Sequence, residues 1–171
     1  MADSIDDQFR EFVRTRSPAL LRTAFLLTGD RHLAEDLVQD ALARTHRGRR
    51  RLHDPGHFEA YTRTAMYHQQ VSWWRRRVAE SLPGELADVA QPGSDHAGRT
   101  DLKLALHQAL ARLTPRQRAV LVIRFFEDRS EAEAAQLLQC SVGTIKSQTS
   151  KALARMREIA PELLSAVMEE A

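Results

Sequence analysis

An all-α protein is predicted. Apolar residues recur at three-and-four spacing along nearly the whole chain, no stretch sustains strand-like alternation, and the breaks fall at Gly and Pro. The breaks group the helices into two small domains, residues 1–78 and 101–171, joined by a flexible acidic linker over 79–100. The second domain contains a helix-turn-helix pattern.

Phe9, Phe12 and Val13, then Leu20, Leu21, Ala24 and Phe25, form the first apolar stripe. Ser17-Pro18 reads as a helix restart and Gly29 as a left-handed cap. A second helix is expected from about Asp30 to His46, with Leu33, Leu37, Val38 and Ala41 facing inward. After the turn Asp54-Pro55-Gly56, a third should run over roughly residues 57–78. The stretch SLPGELADVAQPGSDHAGRT, residues 81–100, has Pro and Gly breaks and little periodicity. Helical spacing resumes with Leu102, Leu106, Leu110 and Leu113, and Thr114-Pro115 is a cap with a first-turn proline. The run AVLVIRFF, Ala119 to Phe126, could be a buried strand; its place after Thr-Pro and among helices favours a core helix.

Charge follows the same division. Residues 1–78 hold 14 basic and 10 acidic groups, residues 79–100 hold 1 and 4, and residues 101–171 hold 10 and 9. The overall +2 therefore conceals two basic blocks around an acidic spacer, and the local field governs binding to polyanions. No apolar run approaches the ~20 residues of a membrane span, and the acidic start MADSIDDQFREF lacks the form of a secretory signal. The one cysteine, Cys140, excludes an internal disulfide, fits a reducing cytoplasm, and is expected to pack the turn. A cytoplasmic protein is expected.

Residues 130–158, SEAEAAQLLQCSVGTIKSQTSKALARMRE, carry the most specific pattern. Ser130 and Glu133 make an S-x-x-E capping box, and Ser141 can cap a second helix through the N–H of Gly143 or Thr144. On that helix Val142, Ile145, Thr149, Ala152, Leu153 and Met156 share one arc. Thr144, Ser147, Gln148, Lys151 and Arg155 lie opposite, flanked by Lys146 and Ser150, with no carboxylate before Glu158. A solvated helix normally mixes both signs; an acid-free face of hydroxyls, amide and cations suits phosphates and the major groove. A helical hairpin within a core is the bland alternative.

Two basic clusters flank the third helix, RGRRR (47–51) and WWRRR (73–77). Aromatics beside arginines suit single-stranded bases, although a tryptophan in a small helical domain is more often core. One of Trp73 and Trp74 is expected to be buried and the other available. The second helix carries Glu35, Asp36, Gln39, Asp40 and Arg44 outward, a poor DNA surface and a candidate protein-docking face.

Together these residues resemble an extracytoplasmic-function sigma factor of bacterial RNA polymerase, in the sigma-70 family, over almost the whole chain. LLTGDRHLAEDLVQDALART is similar to the family's polymerase-docking helix, and SWWRRR to the end of its −10-reading helix. LTPRQRAVLVIRFFEDRSEAEAAQLLQCSVGTIKSQTSKALARMR is similar to the −35-reading domain. The LLTGD and SWWRRR wording resembles a group common in actinobacteria.

The resemblance implies that Glu35, Asp36, Gln39, Asp40 and Arg44 meet the clamp helices of the largest polymerase subunit. It implies that Tyr61, His68, Gln69, Ser72, Trp73, Trp74, Arg75 and Arg76 open and read the −10 element. Ser141, Thr144, Lys146, Ser147, Gln148, Lys151 and Arg155 would read −35 duplex DNA, while residues 121–126 help form the domain that meets the flap. Core RNA polymerase and promoter DNA are the implied partners; an anti-sigma factor is a family precedent that no residue here demands. No cofactor, metal or catalytic residue is implied. His53 and His57 are spaced like a metal pair but straddle Pro55-Gly56 without evident partners.

Three departures stand out. His68 occupies a position often held by asparagine, Gln139 replaces a glycine common before the turn, and Ala134 replaces a larger aliphatic, which could thin the helix packing. A left-handed Gln139 would cost about 1 kcal/mol, so local adjustment of the turn is the alternative. The rival function is a helix-turn-helix regulator that is not a sigma subunit; it would leave the −10-like helix and the acidic helix unexplained.

Overall fold

Ser4 begins the first helix by accepting the Asp7 backbone N–H at its hydroxyl. The computed structural model describes residues 4–52, 54, 56–80, 101–163 and 165; within them, the side chains of 74, 75, 77–80 and 101 are outside the description. The predicted linker thus falls outside the described residues from 81 onward, and so does His53.

Helix α1 (Ile5–Thr28) runs unbroken through Pro18, contrary to the expected restart. Pro18 is exposed, and the Ser17 hydroxyl donates to the Val13 carbonyl beside the missing N–H. Gly29 ends α1 in the left-handed region at φ 71°, as predicted.

Helix α2 (Arg31–Leu52) begins where the Asp30 carboxylate accepts the Leu33 N–H, and it continues six residues beyond the expected end at His46. Its arginine-rich last turn lies favourably at the negative end of the helix dipole. Arg49 pairs with Asp6 of α1 and donates to the His46 carbonyl. The Arg49 hydrogen bond holds the Asp6 carboxyl below the usual range. Helix α3 (Gly56–Glu80) packs on both, and between α2 and α3 the Thr45 and Thr62 hydroxyls meet at 2.7 Å in a fully buried site.

After the undescribed segment come α4 (Asp101–Ala111), α5 (Pro115–Leu121), α6 (Glu131–Leu138) and α7 (Val142–Ile159). Thr114 and Gln117 form a full capping box for α5. AVLVIRFF is helical, as its context favours, but α5 widens into a π-helical turn, Val122–Phe126, closed by Glu127 N–H on the Val122 carbonyl. Val122 and Ile123 are buried by it, whereas Phe125 and Phe126 are exposed.

Leu20, Leu27, Leu37, Phe58 and Met66 are fully buried around α1–α3, each contributing about 1.5–3 kcal/mol relative to exposure. Two helical units form, and they share a core: Val120, Ile123, Ala134 and Ile145 belong to the same buried cluster as Phe58 and Met66. A smaller cluster, with Leu110, Leu113, Leu121 and Met156, seats α4 against α7.

Candidate nucleic-acid interface

The helix-turn-helix is built as its sequence predicts. The Ser130 hydroxyl accepts the Glu133 N–H, and the Glu133 carboxylate accepts the Ser130 N–H. That backbone N–H, chiefly, holds the Glu133 carboxyl below its usual range. Gln139 takes the left-handed conformation at φ 52°, ψ 50°, and its N–H donates to the Gln136 carbonyl. The turn therefore keeps its form despite the missing glycine. Gln139→Gly is expected to raise the unfolding free energy by about 1 kcal/mol, read as a higher urea midpoint at unchanged slope.

Ser141 caps α7 through the Thr144 N–H at 3.1 Å, resolving the choice between Gly143 and Thr144. Ile145 and Ala134 are fully buried and Ala135 nearly so, which lets α6 and α7 cross closely. Cys140 is half-buried and packs against the same core. Val142 was expected on the inner arc but is exposed, in a shallow apolar groove with Ala132, Ala135, Gln136, Gln139 and Cys140. Being the first residue of α7, it has no preceding turn to lie under.

On the opposite side Ser141, Lys146, Ser147, Lys151 and Arg155 are exposed, and Thr144 and Gln148 are half-buried. Lys146 lies 3.8 Å from Glu131, and Arg155 pairs with Glu158 at 2.9 Å. Such exposed pairs are worth at most about 1 kcal/mol and yield readily to a phosphate. Lys151 has no ion pair among the described residues.

On α2, Asp36, Gln39, Asp40 and Arg44 are exposed, and Glu35 is half-buried and paired with Arg31. The acidic face is thus continuous and open. The residues singled out on α3 are not all on one surface. Tyr61, Ser72 and Arg76 are exposed; Trp73 is half-buried against the core; the side chains of Trp74 and Arg75 are outside the described residues. His68 is half-buried, its Nε2 2.6 Å from the Leu137 carbonyl of α6. Gln69 is 4% exposed. Its amide donates to the Asp40 carboxylate at 2.5 Å, while its Oε1 is buried without a hydrogen-bond partner.

The sequence pattern did not reveal the polar network between the two units. Arg63 of α3 pairs with Glu127 and donates to the Thr23 hydroxyl of α1, which itself donates to Glu127. Arg63 also binds Glu59, at 3.0 Å. Tyr67 is fully buried nearby; burial, and then the Glu127 carboxylate, raise its phenol far above the ordinary value. Gln70 and Arg118 both donate to the Leu27 carbonyl at 2.7 Å. The available signal was a pair of charges bracketing the apolar run Ala119–Phe126, Arg118 immediately before it and Glu127 immediately after it. No group of three or more possible metal ligands occurs among the described residues.

Comparison with known proteins agrees with the order of these parts. Residues 12–80 match the family model for sigma-70 region 2, and residues 103–156 match sigma-70, region 4. The chain is 40% identical to the RNA polymerase sigma-E factor of Streptomyces coelicolor, over 88% of this chain and 85% of that protein. It is 42% identical to the sigma-E factor of Streptomyces antibioticus, over 88% and 83%. The ECF RNA polymerase sigma factor SigM of Mycobacterium tuberculosis is 28% identical, over 88% and 76%. Among solved structures, the sigma factor RpoE of Bartonella quintana, in complex with the anti-sigma factor NepR, matches with a TM-score of 0.68 and 28% identity. The match covers 90% of this chain and 97% of that one.

Proposed function

Because this chain belongs to the extracytoplasmic-function sigma factors of the sigma-70 family, we propose how its surfaces divide the work of promoter-specific initiation. Residues 1–78 dock on core RNA polymerase and act at the −10 element, residues 79–100 are the connection, and residues 101–171 read −35 duplex DNA. Asp36, Gln39, Asp40 and Arg44, with Glu35, face the clamp helices; residues 121–126 belong to the part that meets the flap. Ser141, Thr144, Lys146, Ser147, Gln148, Lys151 and Arg155 face the −35 groove. Tyr61, His68, Gln69 and Ser72 to Arg76 act at −10, where taking a base from the stack costs a few kcal/mol and needs both stacking surfaces and cations.

The observation that carries this reading is the pairing of two exposed faces of opposite character. The acidic face of α2 would repel DNA and suits protein; the acid-free face of α7 suits DNA. No catalytic step is assigned to the chain. Among the described residues no helix is long and apolar enough to cross a membrane. The Bartonella neighbour's complex with an anti-sigma factor makes an inhibitor of that kind a partner class for this chain as well.

Transcription with purified core polymerase tests the reading. Start-site selection that requires this chain supports it. Transcription indifferent to the chain, together with tight binding to isolated palindromic DNA, would favour a regulator that is not a sigma subunit. Lys151→Ala should weaken −35 binding at every promoter and lower the slope of log affinity against log salt by about 1. An unchanged slope removes Lys151 from the phosphate contacts.

A further inference from the structure

The leading end of α7 offers its surroundings one kind of chemical group. Ser141, Val142 and Gly143 are exposed in succession, ahead of the half-buried Thr144 and the fully buried Ile145. The Ser141 hydroxyl accepts the Thr144 N–H at 3.1 Å and lies 2.9 Å from the Thr144 hydroxyl. The two hydroxyls are thus engaged with each other and with the cap. Gly143 has no side chain. What remains is Val142, 39% exposed and the one large apolar side chain so open on α6 or α7 among the described residues. It belongs to neither core cluster. One side of it lines the shallow groove with Ala132, Ala135 and Cys140, and the rest is open to solvent.

Gly143 is separate evidence of a close approach. It lies within α7, a setting in which glycine is weaker than alanine. A Cβ at 143 would meet nothing nearer than the Ser141 Oγ at 3.7 Å, an ordinary van der Waals contact. The protein's own packing therefore gives no reason for glycine there. A partner that comes close to the backbone of this turn does. The turn also runs into the acid-free face, since Lys146 stands one turn beyond Val142 and is exposed.

In the major groove the base edges present donors and acceptors, and their one apolar group is the C5 methyl of thymine. A recognition helix places its N-terminal residues against those edges. A valine so placed excludes water from a methyl but satisfies neither an amine nor a carbonyl oxygen. We infer that Val142 is a specificity-determining residue of the −35 reader, its exposed methyls seating the C5 methyl of one thymine. This rests on the reading of α7 as the −35 helix. It divides that helix by chemistry: the first turn tests for a methyl, and Lys146, Ser147, Gln148 and Lys151 supply polar and charged contacts. Cytosine at the same place lacks the methyl and turns an unpaired amine toward valine, so the position separates the two pyrimidines.

The full chain assembled with core polymerase, on duplex carrying both elements of a promoter that this holoenzyme transcribes, tests the assignment. Deoxyuridine replaces each −35 thymine in turn, on both strands, which removes only the methyl. Wild-type holoenzyme should lose about fourfold in affinity at one thymine, the worth of one buried methyl. Val142→Ala should bind the unmodified duplex more weakly and no longer distinguish thymine from uracil at that position. Val142→Ile keeps the apolar surface and should retain the difference. A wild type indifferent to every methyl, or a methyl effect undiminished in Val142→Ala, overturns the assignment and leaves the −35 role of α7 standing. Transcription lost in Val142→Ala with duplex affinity unchanged also overturns it, in favour of a protein contact. If the holoenzyme selects no promoter, the functional reading falls and the assignment with it.

Discussion

Arg118→Met is expected to lower the unfolding free energy by about 2–4 kcal/mol, read as a fall in the urea midpoint. Arg118 is 6% exposed and spends its guanidinium on backbone carbonyls: Leu110 at 2.8 Å, Leu27 at 2.7 Å and Ala111 at 3.1 Å. Methionine keeps most of the aliphatic stem and so preserves packing, but it supplies no donor. The loss is moderated because the Leu27 and Leu110 carbonyls keep partners in Gln70 and the Leu113 N–H. Burial lowers the Arg118 guanidinium to about 10, so it is charged at neutral pH. A base with a lowered folded value is penalised while charged, and the penalty is relieved only as pH rises past that value. The difference between wild type and variant should therefore be flat through neutral pH. Arg16→Met, which removes an exposed ion pair with Glu59, should change stability by less than about 1 kcal/mol.

Ile145→Ala should cost about 2–5 kcal/mol and weaken binding to −35 duplex DNA. Ile145 is fully buried beneath α6, against Ala134 and Ala135. Those two alanines have no side chain long enough to move into the space, so a cavity remains. Ile145→Val removes one methylene and should cost about 0.5–1.5 kcal/mol. Stability by denaturant titration and DNA affinity by fluorescence anisotropy should fall in the same rank order. A truncated variant that is fully stable yet binds DNA poorly would mean that Ile145 acts on DNA directly rather than through the seat of α7.

What the sequence made legible was local. Capping residues act on backbone within three positions, so Ser130, Ser141 and Thr114 could be read directly. Periodicity likewise separated the polar face of α7 from Ile145, Ala152 and Met156. Pro18 misled because a helix can lose one N–H bond at an exposed position and continue. The end of α2 was missed because arginines read as a charge cluster until Asp6, 43 residues away, offers Arg49 a partner. The joining network was invisible for the same reason: Thr23, Arg63 and Glu127 are separated by 40 and 64 residues, and no spacing rule connects them. Gln69 was legible as a polar residue on α3, but not as a buried one, since the Asp40 carboxylate that accepts from its amide lies on another helix.

That Asp40–Gln69 bond also bears on how such a protein can change over generations. One position lies on the face read as meeting polymerase, the other on the helix read as meeting bases. Replacing Asp40 strands the buried Gln69 amide donor, whereas the exposed Asp40 carboxylate can turn to water when Gln69 is replaced, so the constraint runs from 40 to 69. On the roles proposed above, a change at Asp40 on the polymerase-facing side would therefore constrain Gln69 on the promoter-facing helix, and substitution at 69 is the step that frees position 40 to change.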